Sequence, residues 1–522
     1  MLILLLIVAG HSAVAGLTNV TATATELLLR LDSPAYLGLV EFEPYELKAS
    51  IPGGIRPFAL EKLQQGNRSI IPTSGATMVR VPRFVGPRDR VYSGFIAARA
   101  GVAGLETVGV IRFVEGLEML SRSQAPHPRP ASKKGIQVQM VDDALALGVQ
   151  HCTLNLTLGS LIQLQPQPDS LKWELDGRTY YFNRRYLDSL PVQRLTDAGV
   201  AVNCILLYYT GRADLDAVMC HENFNTQAPN RLTAFNTSTP DGQRHFKAAL
   251  EFLADYYSGT NAAHGRVWGY IIGNEVNAHW EWYNMGEATR AEVVADYLRT
   301  VRVAHTAVRK ASAHARVYLS LTHFWNRVMG SGLLRSCEGK GLIDDFNALA
   351  KAGGDFDWHL AHHPYPENLR DARTWLDKTA LPDANTPRIT FKNLEVLDAY
   401  FRRPELLYGG QPRRIILSEQ GFNCADKPDG ELMQAAAFCY AWKKVSALPG
   451  IDAFILHRHV DHAREGGLSL GLWTRQPDSI ATPARPRKIY EAFKAAGTPE
   501  EQRTFEFALP VVGLRDWSTL AR

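Results

Sequence analysis

Beyond residue 135, short apolar runs alternate along the chain with longer stretches whose apolar residues recur at helical spacing. The short runs are apolar at successive positions, as expected of parallel strands that helices cover on both faces. Seven strands are predicted in this way, at 149–158, 200–209, 267–273, 316–321, 356–361, 413–418 and 451–456. The clearest intervening helices are predicted at 138–147, 184–198, 242–257 and 290–312.

This alternation of strand and helix predicts a (β/α)8 barrel, the TIM-barrel fold. A closed barrel needs an eighth strand, and either residues 108–114 or residues 135–138 could supply it. The alternative, an open doubly wound sheet, carries a G-x-G-x-x-G loop after its first strand, and the sequence has none there. We therefore expect a catalytic barrel domain over residues 135–500.

The first part of the chain has a different pattern. Residues 17–115 alternate and are rich in Thr, Val, Pro and Gly, which predicts short strands joined by frequent turns. Residues 124–134 form a basic, proline-rich stretch that cannot continue a helix. The sequence thus predicts a small amino-terminal β-rich domain over residues 17–120, followed by a connecting loop.

The amino terminus is strongly apolar over residues 1–9, and small residues follow at Ala13 and Ala15. This pattern is typical of a secretory signal peptide, residues 1–15, although no Lys or Arg precedes the apolar run. The run is too short to be a permanent membrane anchor, and no later segment is apolar enough to span a bilayer. We therefore expect a secreted or periplasmic protein.

The composition of the chain limits the classes of binding partner that we expect. The 522 residues carry a formal net charge of +4, which gives no reason to expect nucleic acid as a partner, and the 46% hydrophobic content is that of a globular protein.

Cys152 and Cys204 fall inside predicted strands and are expected to be core thiols. The other four cysteines lie near predicted loops and could pair in an oxidising compartment. These four are Cys220, Cys337, Cys424 and Cys439. The oligomeric state is not legible from the sequence.

Two of the predicted strands end in a glutamate. The run Ile271-Ile-Gly-Asn-Glu-Val-Asn277 contains Glu275, and the run Arg414-Ile-Ile-Leu-Ser-Glu-Gln-Gly421 contains Glu419. Strand ends of a barrel gather at its carboxyl-terminal face, where active sites lie. Two facing carboxyl groups there are the working parts of a glycosidase: one donates a proton to the leaving oxygen, and the other attacks the anomeric carbon. A single strand-end glutamate could equally be a metal ligand or a structural hydrogen-bond acceptor.

With 267–273 as the fourth barrel strand and 413–418 as the seventh, the arrangement resembles the clan A, or 4/7, superfamily of retaining glycoside hydrolases. In that superfamily Asn-Glu closes strand four and a second Glu closes strand seven. The resemblance implies that Glu275 is the acid/base, that Glu419 is the nucleophile and that Asn274 binds the sugar 2-hydroxyl. The segment Trp358-His-Leu-Ala-His-His-Pro-Tyr365 is similar to the one whose Tyr holds the nucleophile, which implies that role for Tyr365. The resemblance implies no cofactor.

Other segments carry a second resemblance. The segments 132–148 and Tyr180-Tyr-Phe-Asn183 are similar to a family of secreted barrel proteins of unknown function. Two features of the clan are missing: residues 155–158 contain no Arg, and His457-Arg-His459 stands where a Trp usually ends strand eight. Trp473 is a candidate substitute for that Trp. These departures concern the subsite that binds the sugar more than the two glutamates that would break the glycosidic bond.

Aromatic and polar side chains near the strand ends are candidate carbohydrate ligands. The loop Asn277-Ala-His-Trp-Glu-Trp-Tyr283 is rich in rings outside a predicted strand, which favours sugar stacking over core packing. Of Tyr208 and Tyr209, one must point away from the pocket because side chains alternate along a strand. The candidate substrate-binding residues are Asn274, Asn277, His279, Trp280, Trp282, Tyr208, His323, Trp325, His363, Tyr365, His457, His459 and Trp473.

Two other functions stay open on the sequence alone. A non-catalytic carbohydrate-binding barrel could have kept the pocket without turnover, and a metal-dependent hydrolase could be centred on His457 and His459. Further candidate ligands for such a metal are Asp461, His462, His362 and His363. Alternate histidines in a strand more often line a polar pocket, so we expect no metal. The sequence favours a secreted retaining glycoside hydrolase that cleaves a poly- or oligosaccharide by double displacement, without a cofactor.

Overall fold

The computed structural model describes residues 16–47, 70–102, 104–330 and 332–521. Eight parallel strands, named β1 to β8 in chain order, close into a barrel in which each strand pairs with the next and β8 pairs with β1. They span Lys134–Gln137, His151–Thr157, Ala201–Leu207, Val267–Ile272, Arg316–Thr322, Trp358–His363, Ile415–Leu417 and Ile451–Leu456. The predicted (β/α)8 barrel with a small amino-terminal β-rich domain is confirmed.

The strand that the sequence left open is Lys134–Gln137, which forms β1. Gly135 pairs in parallel with His151 of β2 and with Ile455 of β8, and so closes the cylinder. The other candidate segment, 108–114, lies mostly in strand Gly104–Arg112. That strand pairs antiparallel with a strand of the amino-terminal region and is therefore unavailable to the barrel.

Helices cover the outside of the barrel, and their ends follow from capping residues. The longest, Arg290–Ala311, begins after Thr289, which forms a capping box with Glu292. The predicted helix 184–198 is two helices, because Pro191 has no N–H with which to continue the first. The α-helices of at least five residues are Val141–Ala146, Arg184–Asp188, Val192–Asp197, Ala213–Met219, Pro240–Ser258, Arg290–Ala311, Gly339–Ala352, Leu394–Tyr400, Gly430–Ser446, Lys488–Ala495, Glu501–Phe505 and Ala508–Val512.

The amino-terminal region consists of small antiparallel sheets. One has the strands Leu17–Ala22, Glu26–Leu31 and Met78–Pro82, and another has Ile70–Pro72, Gly38–Phe42, Gly94–Gly101 and Gly104–Arg112. Phe84–Val85 pairs with Arg88–Asp89. Within the barrel domain, strands Ile162–Gln163, Ser170–Leu175 and Arg178–Asn183 form a sheet after β2, and Trp473–Arg475 pairs with Pro483–Pro486 after β8.

Buried polar contacts join the amino-terminal sheets to the barrel helices. The Tyr92 hydroxyl donates to the Glu251 carboxylate at 2.5 Å, and the Lys310 ammonium lies 3.1 Å from the Asp89 carboxylate. The proline-rich linker then crosses the amino-terminal end of the barrel, where the ring of His127 lies 5.6 Å from the ring of Trp268 near the start of β4. The linker therefore closes the end of the barrel opposite to the strand-end glutamates.

Several predictions concern features outside the sheet. All six cysteines are free thiols, so the four that could have paired form no disulfides, and Cys439 is buried in the middle of helix Gly430–Ser446. The predicted signal peptide, residues 1–15, lies outside the described residues. Among the residues that are described, no helix is both long and apolar enough to cross a membrane.

Candidate active site

Alternate residues of the barrel strands fill the barrel interior with a compact apolar cluster. Its strand members are Ile205, Leu207, Ile271, Tyr318, Ala361, Ile416, Ala453 and Ile455, and Leu232, from the segment between β3 and β4, joins them. The next positions along the same inward faces lie at the carboxyl-terminal mouth of the barrel, and polar side chains occupy them. The mouth is therefore the part of the barrel where polar side chains replace the apolar packing of the interior.

Glu275 follows β4 on a sharply turned backbone. Gly273 has a φ of 76° and Glu275 has a φ of 44°, so both lie in the left-handed region that side chains disfavour. A Cβ atom on Gly273 would lie 2.6 Å from the ring of Tyr283, so only glycine fits there. The Glu275 N–H donates to the Ser320 hydroxyl at 2.9 Å, which holds the turn against β5. The carboxylate of Glu275 is thereby aimed back over the mouth.

His363, at the end of β6, connects the two strand-end carboxylates. Its Nδ1 lies 2.9 Å from Oε1 of Glu275, and its Nε2 lies 3.0 Å from Oγ of Ser418, the residue before Glu419. Burial lowers the pKa of His363, but its hydrogen bond with Glu275 and the charges of Glu419 and Glu275 outweigh burial and raise it. The two carboxylates therefore favour the protonated form of the imidazole.

Glu419 follows β7 and is held by Tyr365. The Tyr365 hydroxyl donates to Oε1 of Glu419 at 3.2 Å. Burial and the negative charges of Glu419, Glu465 and Glu275 raise the pKa of Tyr365 well above its usual range, so the hydroxyl keeps its proton. Glu275 and Glu419 are thus held by two side chains that are only two residues apart, His363 at the end of β6 and Tyr365 just beyond it.

A third carboxylate, Glu465, lies in the loop after β8. Its Oε1 lies 3.0 Å from Nε2 of His457, and its Oε2 accepts from the Arg458 guanidinium at 2.7 Å. Burial would raise the pKa of Glu465, but these two partners lower it to about 2. The other ring nitrogen of His457 is 2.5 Å from Oε1 of Gln137, at the end of β1. Sequence reasoning found His457 but missed Gln137 and Glu465.

Tyr209, and not Tyr208, lies at the mouth. Tyr208 is fully buried and donates its hydroxyl to Asp216, so its place among the substrate-binding candidates is not supported. Tyr209 is 47% exposed, and partial desolvation together with the charge of Glu419 raises its pKa. Because β3 and β7 stand on opposite sides of an eight-stranded barrel, the ring of Tyr209 points across the mouth. Side-chain alternation puts Tyr209 on the same face as Leu207, and the structure shows that Leu207 faces the barrel interior.

Most of the ring-rich loop after Glu275 packs inside the protein. His279 is fully buried and its Nε2 lies 3.0 Å from the Leu334 carbonyl, while the Arg335 guanidinium covers Trp280 at 4.2 Å from the ring centre. Asn277 is buried and bonds to the end of β5. Only Trp282, which is half-buried and packs against the apolar cluster of the barrel interior, remains near the mouth together with Asn274. The short helix His279–Trp282 turns the other rings inward.

Two candidates after β5 are also core residues. Trp325 is 1% exposed, and its indole N–H donates to the Ala384 carbonyl at 3.1 Å. His323 is buried, and desolvation and the positive charge of Arg388 lower its pKa to about 3. Neither side chain is brought to the carboxylates.

The histidines considered for a metal site are dispersed. His459 and the indole N–H of Trp473 both contact Oδ2 of Asp143, at 2.8 and 3.0 Å, away from Glu275. Asp461 pairs with Arg487, and His362 lies 3.2 Å from the Ile389 carbonyl. Within the described ranges, no group of three or more His, Cys, Asp or Glu side chains converges as metal ligands would. His459 and Trp473 are therefore held by a shared contact on Asp143, in the first turn of the helix after β1.

Comparison with solved structures finds similar folds at low identity. A family 39 glycoside hydrolase from the gut symbiont Bacteroides cellulosilyticus WH2 has 13% identity and a TM-score of 0.46, covering 93% of this chain and 81% of that chain. A β-glucosidase from Pyrococcus furiosus has 12% identity and a TM-score of 0.44, covering 71% and 86%. A GH39 β-xylosidase from Caulobacter crescentus has 15% identity and a TM-score of 0.41, covering 72% of each chain. Likeness at this level carries no argument about chemistry.

Comparison by sequence identifies the family. No curated protein matches the chain. A family model described as a family of unknown function, DUF5722, matches residues 126–520, which include all eight barrel strands and every residue of the candidate site. The chain therefore belongs to the DUF5722 family, as its resemblance to secreted barrel proteins of unknown function had indicated.

Proposed function

We propose that this protein is a retaining glycoside hydrolase that cleaves a poly- or oligosaccharide by double displacement. The observation that carries the proposal is that Glu275 contacts His363, at the end of β6, while Glu419 contacts Tyr365, two residues further on. Retaining glycosidases need two carboxyl groups about 5 to 5.5 Å apart, one as acid/base and one as nucleophile. Two strand-end glutamates held by side chains two residues apart suit that requirement.

The surroundings of the two carboxyl groups favour different roles. Glu275 lies at hydrogen-bond distance from the imidazole of His363, whose raised pKa favours a proton at the position from which the leaving oxygen must receive one. Glu419 accepts a hydrogen bond from the Tyr365 hydroxyl, which orients its carboxylate for attack on the anomeric carbon. We therefore assign Glu275 as the acid/base and Glu419 as the nucleophile.

The reaction then follows in two balanced steps. Glu419 attacks the anomeric carbon while Glu275 gives its proton to the glycosidic oxygen, the glycosidic bond breaks, and a glycosyl ester forms on Glu419. Water next attacks the same carbon, Glu275 takes a proton from it, and the ester bond breaks to restore the Glu419 carboxylate. No cofactor takes part in either step.

A 2-fluoro aryl glycoside with a good leaving group tests the proposal, because it traps the ester of the first step. We expect peptide mass mapping to find the label on Glu419, no label in Glu419→Gln, and normal labelling of Glu431→Gln, whose carboxylate pairs with Arg485. Labelling of another carboxylate would reassign the nucleophile. Binding of glycans without release of any sugar, across polysaccharides and aryl glycosides, would favour a non-catalytic carbohydrate-binding barrel.

Export from the cytoplasm is part of the same proposal, because polysaccharides lie outside the cell. The apolar run at residues 1–9 followed by Ala13 and Ala15 supports it. Amino-terminal sequencing of the mature protein should begin at Gly16. A mature protein that keeps Met1 and remains in the cytoplasm would contradict it.

A further inference from the structure

A continuous polar chain lines one third of the barrel mouth, from β8 across β1 to β2. It runs from Glu465 to His457 at 3.0 Å, from His457 to Gln137 at 2.5 Å, and from Gln137 Nε2 to Asn155 Oδ1 at 3.1 Å. Asn155 is exposed, although the residues on either side of it in β2 are buried. A side chain that is exposed within a barrel strand must open onto the solvent-filled mouth.

The orientation of each group in this chain is determined by its neighbours. Gln137 donates its amide N–H to Asn155, so its oxygen faces His457, while the carboxylate of Glu465 faces the other ring nitrogen. The ring of His457 thus lies between two oxygen acceptors, Oε1 of Gln137 and Oε1 of Glu465. Arg458 donates to the second oxygen of Glu465. The guanidinium of this wall is therefore already paired with Glu465.

The wall lies beside the reacting groups. The backbone N–H of His457 donates to the carbonyl of Gln420, the residue after Glu419, at 2.8 Å. The charge of Glu465 also acts on Tyr365, whose hydroxyl donates to Glu419. A sugar ring attached at Glu419 would therefore direct its remaining hydroxyls toward Glu465, Gln137 and Asn155. Carboxylate and amide oxygens accept hydrogen bonds from sugar hydroxyls, and the amide N–H groups donate to them.

We infer that Glu465, Gln137 and Asn155 bind the hydroxyl groups of the glycone and restrict this site to uncharged sugars. The inference rests on the glycosidase function proposed above and adds the substrate class to it. A sugar with a carboxylate at C6 would bring a further carboxylate to a mouth that already holds those of Glu275, Glu419 and Glu465. Like charges at such range repel strongly where water is scarce.

Pairs of aryl glycosides that differ only at C6 test the inference, namely hexosides and the matching uronides in each anomeric form. We expect wild-type kcat/KM to favour the neutral member of each pair, or a neutral pentoside, over any uronide. Glu465→Gln should lower kcat/KM for the neutral glycoside about 10- to 100-fold, the effect expected for a hydrogen bond to a charged group. It should also raise the ratio of uronide to hexoside kcat/KM. That ratio is independent of the fraction of folded enzyme.

Glu501→Gln is the matched control, because Glu501 is similarly buried and ion-paired with Lys443 but lies near the opposite end of the barrel. It should leave the uronide to hexoside ratio unchanged. A wild-type preference for uronides, or an unchanged ratio in Glu465→Gln, would overturn the inference while leaving the glycosidase function in place. If no glycoside is cleaved, the glycosidase function fails separately. In that case calorimetry with the same compounds tests the inference. If the wild type binds neutral sugars and Glu465→Gln binds them more weakly, the inference is supported, and any other result refutes it.

Discussion

Nδ1 of His363 lies 2.9 Å from Oε1 of Glu275, at the ends of two strands that are not neighbours in the barrel. The same ring reaches Ser418, next to Glu419, through its other nitrogen. Since Nδ1 of His363 and Oε1 of Glu275 lie within hydrogen-bond distance, one proton is shared in the contact between the two groups. The availability of the acid in the first step is therefore a property of the pair rather than of Glu275 alone.

Replacing His363 should change the pH dependence of catalysis. In the wild type the raised pKa of His363 keeps the shared proton to higher pH than an isolated imidazole would. In His363→Asn the amide can still bond to Glu275 but cannot carry the proton. We expect the basic limb of the kcat/KM profile to move about one pH unit or more toward acid, measured between pH 4 and 9. A basic limb that stays in place would show that His363 does not take part in holding the proton.

Replacing Glu275 should make catalysis depend on the leaving group. Glu275→Ala removes general-acid help, which is worth about 10²- to 10⁴-fold. We expect the full loss for aryl glycosides with poor leaving groups and a much smaller loss for activated ones, measured as kcat/KM over a series of phenols. Equal loss across the series would argue against the acid/base role. Glu287→Gln, which alters an exposed partner of Arg335, serves as the control.

The barrel and its two carboxylates could be predicted from sequence because strand ends converge at one face whatever the loops do. The face of each strand that points into the barrel could not be predicted from the sequence. Every residue of β3 is buried, so hydrophobicity does not distinguish the interior from the helix side, and Tyr208 and Tyr209 look equivalent. The structure separates them through the packing of Leu207 in the barrel interior.

Residues beyond the strand ends were harder to predict for a different reason. His457 and His459 are two residues apart, yet one lies at the mouth with Glu465 and the other lies against Asp143 near the start of the first barrel helix. Their separation depends on the path of the loop after β8, which no local pattern encodes. Glu465 was missed because its contacts with His457 and Arg458 arise only when that loop folds back.

Asn277 should affect stability before it affects sugar binding. Its Oδ1 accepts from the Thr322 N–H at 2.9 Å and its Nδ2 donates to the Thr322 hydroxyl at 2.7 Å, so it ties the loop after Glu275 to the end of β5. Asn277→Ala leaves these buried groups unpaired and should lower the free energy of unfolding by about 1 to 3 kcal/mol, measured in urea. Asn261→Ala, at an exposed turn, should stay within about 0.5 kcal/mol of the wild type. A stable Asn277→Ala with only a raised KM would instead return Asn277 to the sugar-binding residues.

Buried neutral histidines should make the fold sensitive to acid. Desolvation is the main cause that lowers the pKa values of four buried histidines: His151 to about 4, His279 to about 4, His323 to about 3 and His362 to about 3. In the unfolded chain each ring gains its proton near its ordinary pKa of about 6.5. Between about pH 6.5 and 4 the unfolded state therefore binds more protons than the folded state, and stability falls as the pH falls.

Each of these histidines can lower the free energy of unfolding by up to about 1.4 kcal/mol per pH unit in that range. Urea unfolding at pH 7.5, 6.0 and 5.0 should show that the free energy of unfolding falls steadily while the m value stays constant. The free energy of unfolding of His279→Asn should fall less per pH unit than that of the wild type. His363 acts in the opposite direction, because its raised pKa adds stability below about pH 6.5 that is lost as the pH rises through that raised pKa. A stability that is flat or increases from pH 7.5 to 5.0 would mean that the four rings are protonated in the folded protein, contrary to their burial.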